Sequence, residues 1–256
     1  MKRLFSSSVA ALLAAGVVSG ATINDGTSTQ GLVQIINSIN DFEGYTLLTP
    51  LSSGVLQAEQ VGDASPVLKT AWYHESVTAT NAVYTVTADF LPAYTDTPEC
   101  RGGVIGWLDT VASNGIVLQI VPPGIASSSF RLSCVDFLNV TDDQSHLFNL
   151  DGTPADSSSA WSAIGTNYVA TDSATFELAF TNATPADRVL VSNATARVQA
   201  RVWQGAGTNR VQVSETRELL TDLPVPPETR HRVGYFGVWA SAWPGNLIGS
   251  FDELRV

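Results

Sequence analysis

Lysine is almost missing from this chain: Lys2 and Lys69 are the only two among 256 residues. Lys and Arg together number 13 against 24 Asp and Glu, a formal charge of −11, and no basic run occurs anywhere. A nucleic-acid partner needs cations gathered on one face to displace counterions from phosphates, so that class is excluded. Charge of either sign is scarce at 14%, against about 25% in an average soluble domain. That level is common in exported β proteins. The three histidines, His74, His146 and His231, stand in no H-E-x-x-H pattern, and no G-x-S-x-G string is present. A zinc hydrolase and a serine nucleophile elbow therefore have no footing. Helix-length amphipathic periods and internal repeats are absent too.

The chain does begin with a targeting pattern. Lys2 and Arg3 precede an apolar run of residues 4–18, and Val18-Ser-Gly-Ala21 supplies small residues for cleavage. Residues 1–21 are expected to be a signal peptide, whose removal takes the charge from −11 to −13. The alternative, a membrane anchor, requires a longer run. No later stretch is apolar enough to span a bilayer, so a secreted, periplasmic or cell-surface location is expected. Residues 22–40 read as a polar connector with room for a short helix after Gly31, and residues 41–256 as one domain.

Within that domain strand follows strand, with turn residues between. Residues 83–90 alternate, with Tyr84, Val86, Ala88 and Phe90 on one face and Thr85, Thr87 and Asp89 on the other. Residues 103–109, 116–121 and 129–136 read as a meander whose first hairpin turns at Asn114-Gly115. Residues 174–181 point Phe176, Leu178 and Phe180 inward. Residues 194–203 point Ala196, Val198, Ala200 and Val202 inward and Arg197, Gln199, Arg201 and Trp203 outward. Residues 141–173 lack a period and read as a long excursion over one end of a sheet. The closing residues 231–240 and 247–256 form two strands around Pro244-Gly-Asn246. A dozen alternating strands with few helices predict an all-β, two-sheet antiparallel sandwich.

Export permits a disulfide, and Cys100 with Cys134 is the one intramolecular pairing available. In a meander the two would lie at opposite ends, so the bond requires the chain before Gly102 to fold back. Both outcomes remain open from the sequence.

The ending V-G-Y-F-G-V-W…G-S-F-D-E-L-R-V and the opening D-F-E-G-Y at residues 41–45 resemble concanavalin A-like lectin/glucanase (laminin-G-like jelly-roll) domains. The likeness spans residues 41–256 and implies a two-sheet jelly roll that binds glycans or proteins. The E-x-D-x-x-E strand of the family's glucanases is missing, as are the galectin H-x-N-x-R and the alginate-lyase strand motifs. Thr216-Arg-Glu-Leu219 is a partial echo of one lyase strand, without its companions.

Three groups of residues have a chemical claim. Arg197, Arg201 and Trp203, with Glu177 and Gln212 on flanking strands, form an outward row suited to a sugar. The competing reading is a solvent face of cross-strand Arg–Glu pairs. Asp252 with Asp41 and Glu43 suits a structural Ca²⁺, or else Asp252 caps a bulge. The loop acids Asp142, Asp143, Asp151 and Asp156 match no EF-hand spacing. Glu177 with Glu218 is the one carboxylate pair compatible with hydrolysis. The expected function is an exported, non-catalytic module binding a polysaccharide, glycoconjugate or other surface partner. Its rivals are a polysaccharide hydrolase or lyase of the same fold and a structural envelope or matrix protein.

Overall fold

The computed structural model describes residues 21–37, 45–61, 68–75, 82–93, 101–121, 129–138, 145–155, 161–163, 168–169, 171–205, 209–239 and 247–256. In chain order these contain β1 (Thr22–Asn24), β2 (Leu32–Asn37), β3 (Tyr45–Pro50), β4 (Leu56–Val61), β5 (Leu68–His74) and β6 (Tyr84–Pro92). Next come β7 (Arg101–Asp109), β8 (Asn114–Val121), β9 (Ser129–Asp136), β10 (Leu147–Phe148), β11 (Trp161–Ala163) and β12 (Ala174–Asn182). The helix α1 (Pro185–Leu190) precedes β13 (Ala196–Gln204), β14 (Val211–Gln212), β15 (Arg217–Thr221), β16 (His231–Trp239) and β17 (Leu247–Arg255).

Two antiparallel sheets pack face to face, as the alternation predicts. The ten-stranded sheet runs β10-β15-β13-β12-β6-β17-β4-β3, with β1 beside β17 and β14 beside β13. The seven-stranded sheet runs β11-β9-β8-β7-β16-β5-β2. The all-β, two-sheet antiparallel sandwich expected from the sequence is the fold observed. β16 and β17 are its anchors: β16 lies between β7 and β5 at the middle of the smaller sheet, and β17 between β6 and β4 in the larger. Among the described residues no helix is long and apolar enough to cross a membrane.

Period two explains the larger sheet. Phe176, Leu178 and Phe180 of β12 face Val202, Ala200 and Val198 of β13, large against small, and all six are at most 1% exposed. Burial of each of the Phe, Leu and Val side chains contributes about 2 kcal/mol. They meet Trp107, Leu118, Leu132 and Tyr235 from the smaller sheet in one core. The smaller sheet is buried on its outer face as well, where Ala71, Ile105, Val117, Val135, Phe236 and Val238 form a second cluster.

Three sequence expectations change. Of residues 22–40, residues 22–24 and 32–37 are strands. β1 pairs with the end of β17, and β2 extends the smaller sheet beside β5 where a short helix was expected. Ile23 and Leu32 pack on the main core, so burial of these two side chains outweighs the polar character of the segment. The first hairpin turns over residues 110–113, and Asn114 already pairs with Asp109 as β8 begins. A wider turn is favoured because Asp109 Oδ1 accepts from the amides of Val111 and Ala112, at 2.9 and 3.0 Å. Residues 141–173 contain two short strands, β10 and β11, each pairing at a sheet edge.

Candidate functional site

The outer face of the larger sheet collects the polar halves of the alternating strands. One cross-strand row reads Asp252, Asp89, Thr175, Trp203, Gln212 from β17 to β14. The next reads Arg255, Thr87, Glu177, Arg201 from β17 to β13. Four strand spacings make the first row about 19 Å long. This face exists because each of these residues alternates with a fully buried one, so core burial of Phe176 and Leu178 dictates where Thr175 and Glu177 point.

Ion pairs tie the face together. Arg201 donates to Glu177 at 3.0 Å and to Gln199 Oε1 at 2.5 Å. The Thr175 hydroxyl donates to Asp89 at 2.5 Å, and Arg255 stands 3.9 Å from the same carboxylate. Arg210 lies over the Trp203 indole, its guanidinium carbon 4.7 Å from the ring centroid, with one nitrogen 3.7 Å from Glu177. Burial lowers the Arg210 proton affinity, against the opposing charges of Glu177 and Asp89. Among the described residues, Arg210 Nε and Trp203 Nε1 are both buried donors without an acceptor. Each costs free energy until something accepts from it, on the order of 1–3 kcal/mol.

The residues expected from the sequence divide. Glu177, Arg201, Trp203 and Gln212 come together on this face. Trp203 is not an open stacking platform, because Arg210 covers it. Gln212 spends its amide on the Ser214 carbonyl at 2.7 Å and the Thr216 hydroxyl at 3.1 Å. Arg197 is committed elsewhere. Its Nε and Nη2 grip both oxygens of Asp187 at 2.9 and 2.7 Å, and Nη1 reaches Glu218 at 2.9 Å. Asp187 is 1% exposed and closes a capping box with Thr184 at the start of α1. The Arg197 fork holds its carboxyl well below the usual carboxylate range, against burial. Glu177 and Glu218 flank β13 with Arg197, Gln199 and Arg201 between them, so no open cleft separates the two.

Asp252 occupies the bulge between β17 and β6 and accepts from the Glu253 amide at 2.8 Å. That is the bulge-capping alternative. Burial first, and the charge of Asp89 next, push its carboxyl up. Asp41 and Glu43 lie outside the described residues. Tyr45, which follows them, pairs with Val61, at the other end of β4 from Leu56, the residue opposite Phe251. Among the described residues no three His, Cys, Asp or Glu side chains are grouped to hold a metal ion. Asp151 caps its own turn through Thr153, while Asp142, Asp143 and Asp156 lie outside the described residues. Cys134 is buried in the main core opposite Ile116, whereas β7 begins with Arg101, one residue before the Gly102 that pairs with Ile120. Cys100 lies outside the described residues.

Asp89, Thr175, Arg210 and Arg255 belong to this face and were missed. Asp89 and Thr175 were legible as outward positions, but their meeting joins residues 86 apart in sequence. Arg210 follows a glycine-rich turn and has no periodic signal.

No family model matches the chain, and no curated protein matches it in sequence. Similar solved structures include a legume lectin-like domain from Entamoeba histolytica, at 10% identity and a TM-score of 0.47, covering 94% of this chain and 98% of that one. A Bacillus licheniformis β-glucanase is similar at 9% identity and a TM-score of 0.45, covering 92% and 97%. A lectin from Bauhinia forficata in complex with GalNAc is similar at 12% identity and a TM-score of 0.41, covering 93% and 99%.

Proposed function

We propose that this protein is an exported, non-catalytic module that binds a polysaccharide or glycoconjugate across the outer face of its larger sheet. The observation that carries this reading is the continuous two-row array of Asp89, Thr175, Glu177, Arg201, Trp203 and Arg210. Sugar hydroxyls donate and accept, and this array offers fixed donors beside fixed acceptors along a row about 19 Å long. The Arg210 guanidinium, backed by the indole, provides a plane for the ring face. Arg197 is a support that fixes β13 to α1.

Affinity electrophoresis against a panel of soluble polysaccharides tests this. Retarded migration by at least one of them, weakened tenfold or more in Trp203→Ala and Arg201→Ala with melting temperatures held, supports the reading. Unchanged migration in both variants overturns it.

Hydrolysis is a second reading with one specific foothold: Asp252 sits directly opposite Asp89, and burial together with the Asp89 charge pushes its carboxyl up, which sets two neighbouring carboxylates apart as an acid and a base would be. Release of reducing ends from the bound polysaccharide, lost in Asp252→Asn, would favour it. Self-association without any saccharide binding would favour a matrix role instead.

A further inference from the structure

A polar hollow of about 860 Å³ opens where β1 and the following loop meet His74 of β5 and Glu253 of β17. It is built from the segment that reads as a connector in the sequence. Its loop is tied down from within. Asn24 Nδ2 donates to the Ser28 carbonyl at 2.8 Å, and its Oδ1 accepts from the Gly26 amide at 2.9 Å and from the Tyr235 hydroxyl at 3.1 Å. Asp25 Oδ1 accepts from the Thr27 amide and hydroxyl at 3.1 and 2.6 Å. A loop fixed by so many side-chain bonds keeps its shape without a ligand.

Two glycines let the backbone close on this hollow. Gly26 and Gly31 have φ of 75° and 79°. A Cβ on the first would stand 2.5 Å from the Asp252 carboxylate, and on the second 2.5 Å from His74 Nε2. Glu253 shares the left-handed region at φ 40°, where a side-chain-bearing residue is strained.

The lining chemistry selects the ligand. Asp25 and Glu253 contribute carboxylates, Thr22 a hydroxyl and Gln30 an amide, and no Lys or Arg lines the hollow. Glu253 is paired with Arg255 and His74 is the one basic side chain in the lining, so Asp25 is the carboxylate an anion would meet without an ion-pair partner among the described residues. A metal ion lacks three grouped ligands among the described residues. The volume falls in the range of small-ligand sites, roughly 300–1,000 Å³. Thr22, Asp25 and Gln30 line the hollow, and among the described residues the loop's own bonds use neither Asp25 Oδ2, the Thr22 hydroxyl nor the Gln30 side-chain amide. Three acceptor oxygens and two groups able to donate suit neighbouring hydroxyls on an uncharged ring. We propose that this hollow is a binding subsite for one uncharged, hydroxyl-rich sugar residue, separate from the outer face of the larger sheet.

Saturation-transfer NMR with the methyl glycosides of glucose, galactose and mannose tests it, with methyl glucuronate as the anionic control. Transfer to at least one neutral glycoside and none to the glucuronate is expected. The double variant Asp25→Asn, Gln30→Ala should weaken that binding tenfold or more at an unchanged melting temperature. Trp203→Ala should leave it intact. The proposal is overturned if no neutral glycoside receives transfer, if the glucuronate binds as well, or if the double variant binds as the parent does. Loss in Trp203→Ala alone overturns it while leaving the sheet-face reading standing. Glycoside binding that survives alongside complete polysaccharide indifference has the opposite meaning.

Discussion

The two sheets turn opposite kinds of face outward. On the smaller sheet, Ile105, Val117, Val135 and Phe236 are each at most 1% exposed, and even Lys69, Gln119 and Ser133 on that side are buried. On the larger sheet, Thr175, Glu177, Arg201 and Trp203 are only half-buried, while their alternating neighbours fill the core. An outer face sealed from solvent contributes stability. An outer face of fixed, accessible polar groups contributes little stability and remains available to a ligand. Fold and proposed function are thereby assigned to different sheets, and substitutions on the two should behave differently.

The largest effect is expected from the sealed face. Phe236→Ala removes a fully buried ring that stands 6.4 Å from the Phe137 ring, and should cost about 4 kcal/mol in urea unfolding. Polysaccharide binding of the folded fraction should be unchanged. A loss near 1 kcal/mol would mean that this face is not a second core.

These faces were unequally legible in the sequence. β12 and β13 alternate because one side is wet and the other dry, so the inward sets could be read directly. β7 is buried at every position from Gly102 to Asp109. A strand buried on both sides has no period to read, and its second cluster stayed hidden. β2 was missed for a related reason. In Leu32-Val-Gln-Ile-Ile-Asn37 the apolar positions fit a helical turn as well as a strand, and pairing with residues 69–74 decides between them. The outward row on β13 was legible as a row. Its division of labour was not, because Asp187 and Arg210 reach Arg197 and Trp203 through a helix cap and a turn.

That division gives the next effect. Arg197→Ala leaves the buried Asp187 carboxylate with only its Thr184 bonds, at 2.7 and 2.8 Å, and should cost about 3 kcal/mol. Arg197→Ala, Asp187→Ala together should cost less than the single change, since no unpaired charge remains. Equal or greater loss in the double variant would show that the pair acts by packing alone.

Between the two faces, the interior separates along the pH axis. His231 is 1% exposed, and its Nε2 shares a hydrogen bond of 3.0 Å with the Tyr84 hydroxyl. Burial lowers its pKa to about 4. The unfolded chain therefore takes up the proton first, near pH 6.5. Stability is intact above that pH and declines as pH falls towards 4, by about 2 kcal/mol between pH 7 and pH 5. Asp187 behaves differently, because its depressed carboxyl keeps its contribution until pH falls below the ordinary Asp value. His231→Gln should flatten the decline between pH 6.5 and 5 and leave the steeper loss below it. A parent protein with level stability across pH 7 to 5 would contradict the burial of a neutral imidazole.

The smallest change in stability is expected where the change in function is greatest. Arg201→Ala removes a bond to a Glu177 whose side chain is 13% exposed and which keeps Arg210 at 3.7 Å, so the carboxylate is not stranded. Partly exposed pairs of this kind contribute about 1 kcal/mol or less. The melting temperature should move by a few degrees at most, while polysaccharide affinity falls tenfold or more. Arg201→Lys keeps the charge but loses the fork between Glu177 and Gln199, and should restore the stability without the affinity. If Arg201→Ala instead costs as much stability as Arg197→Ala, the polar face is an ion-pair lattice that holds the sheet. The contrast between a sealed sheet and an available one would then be lost.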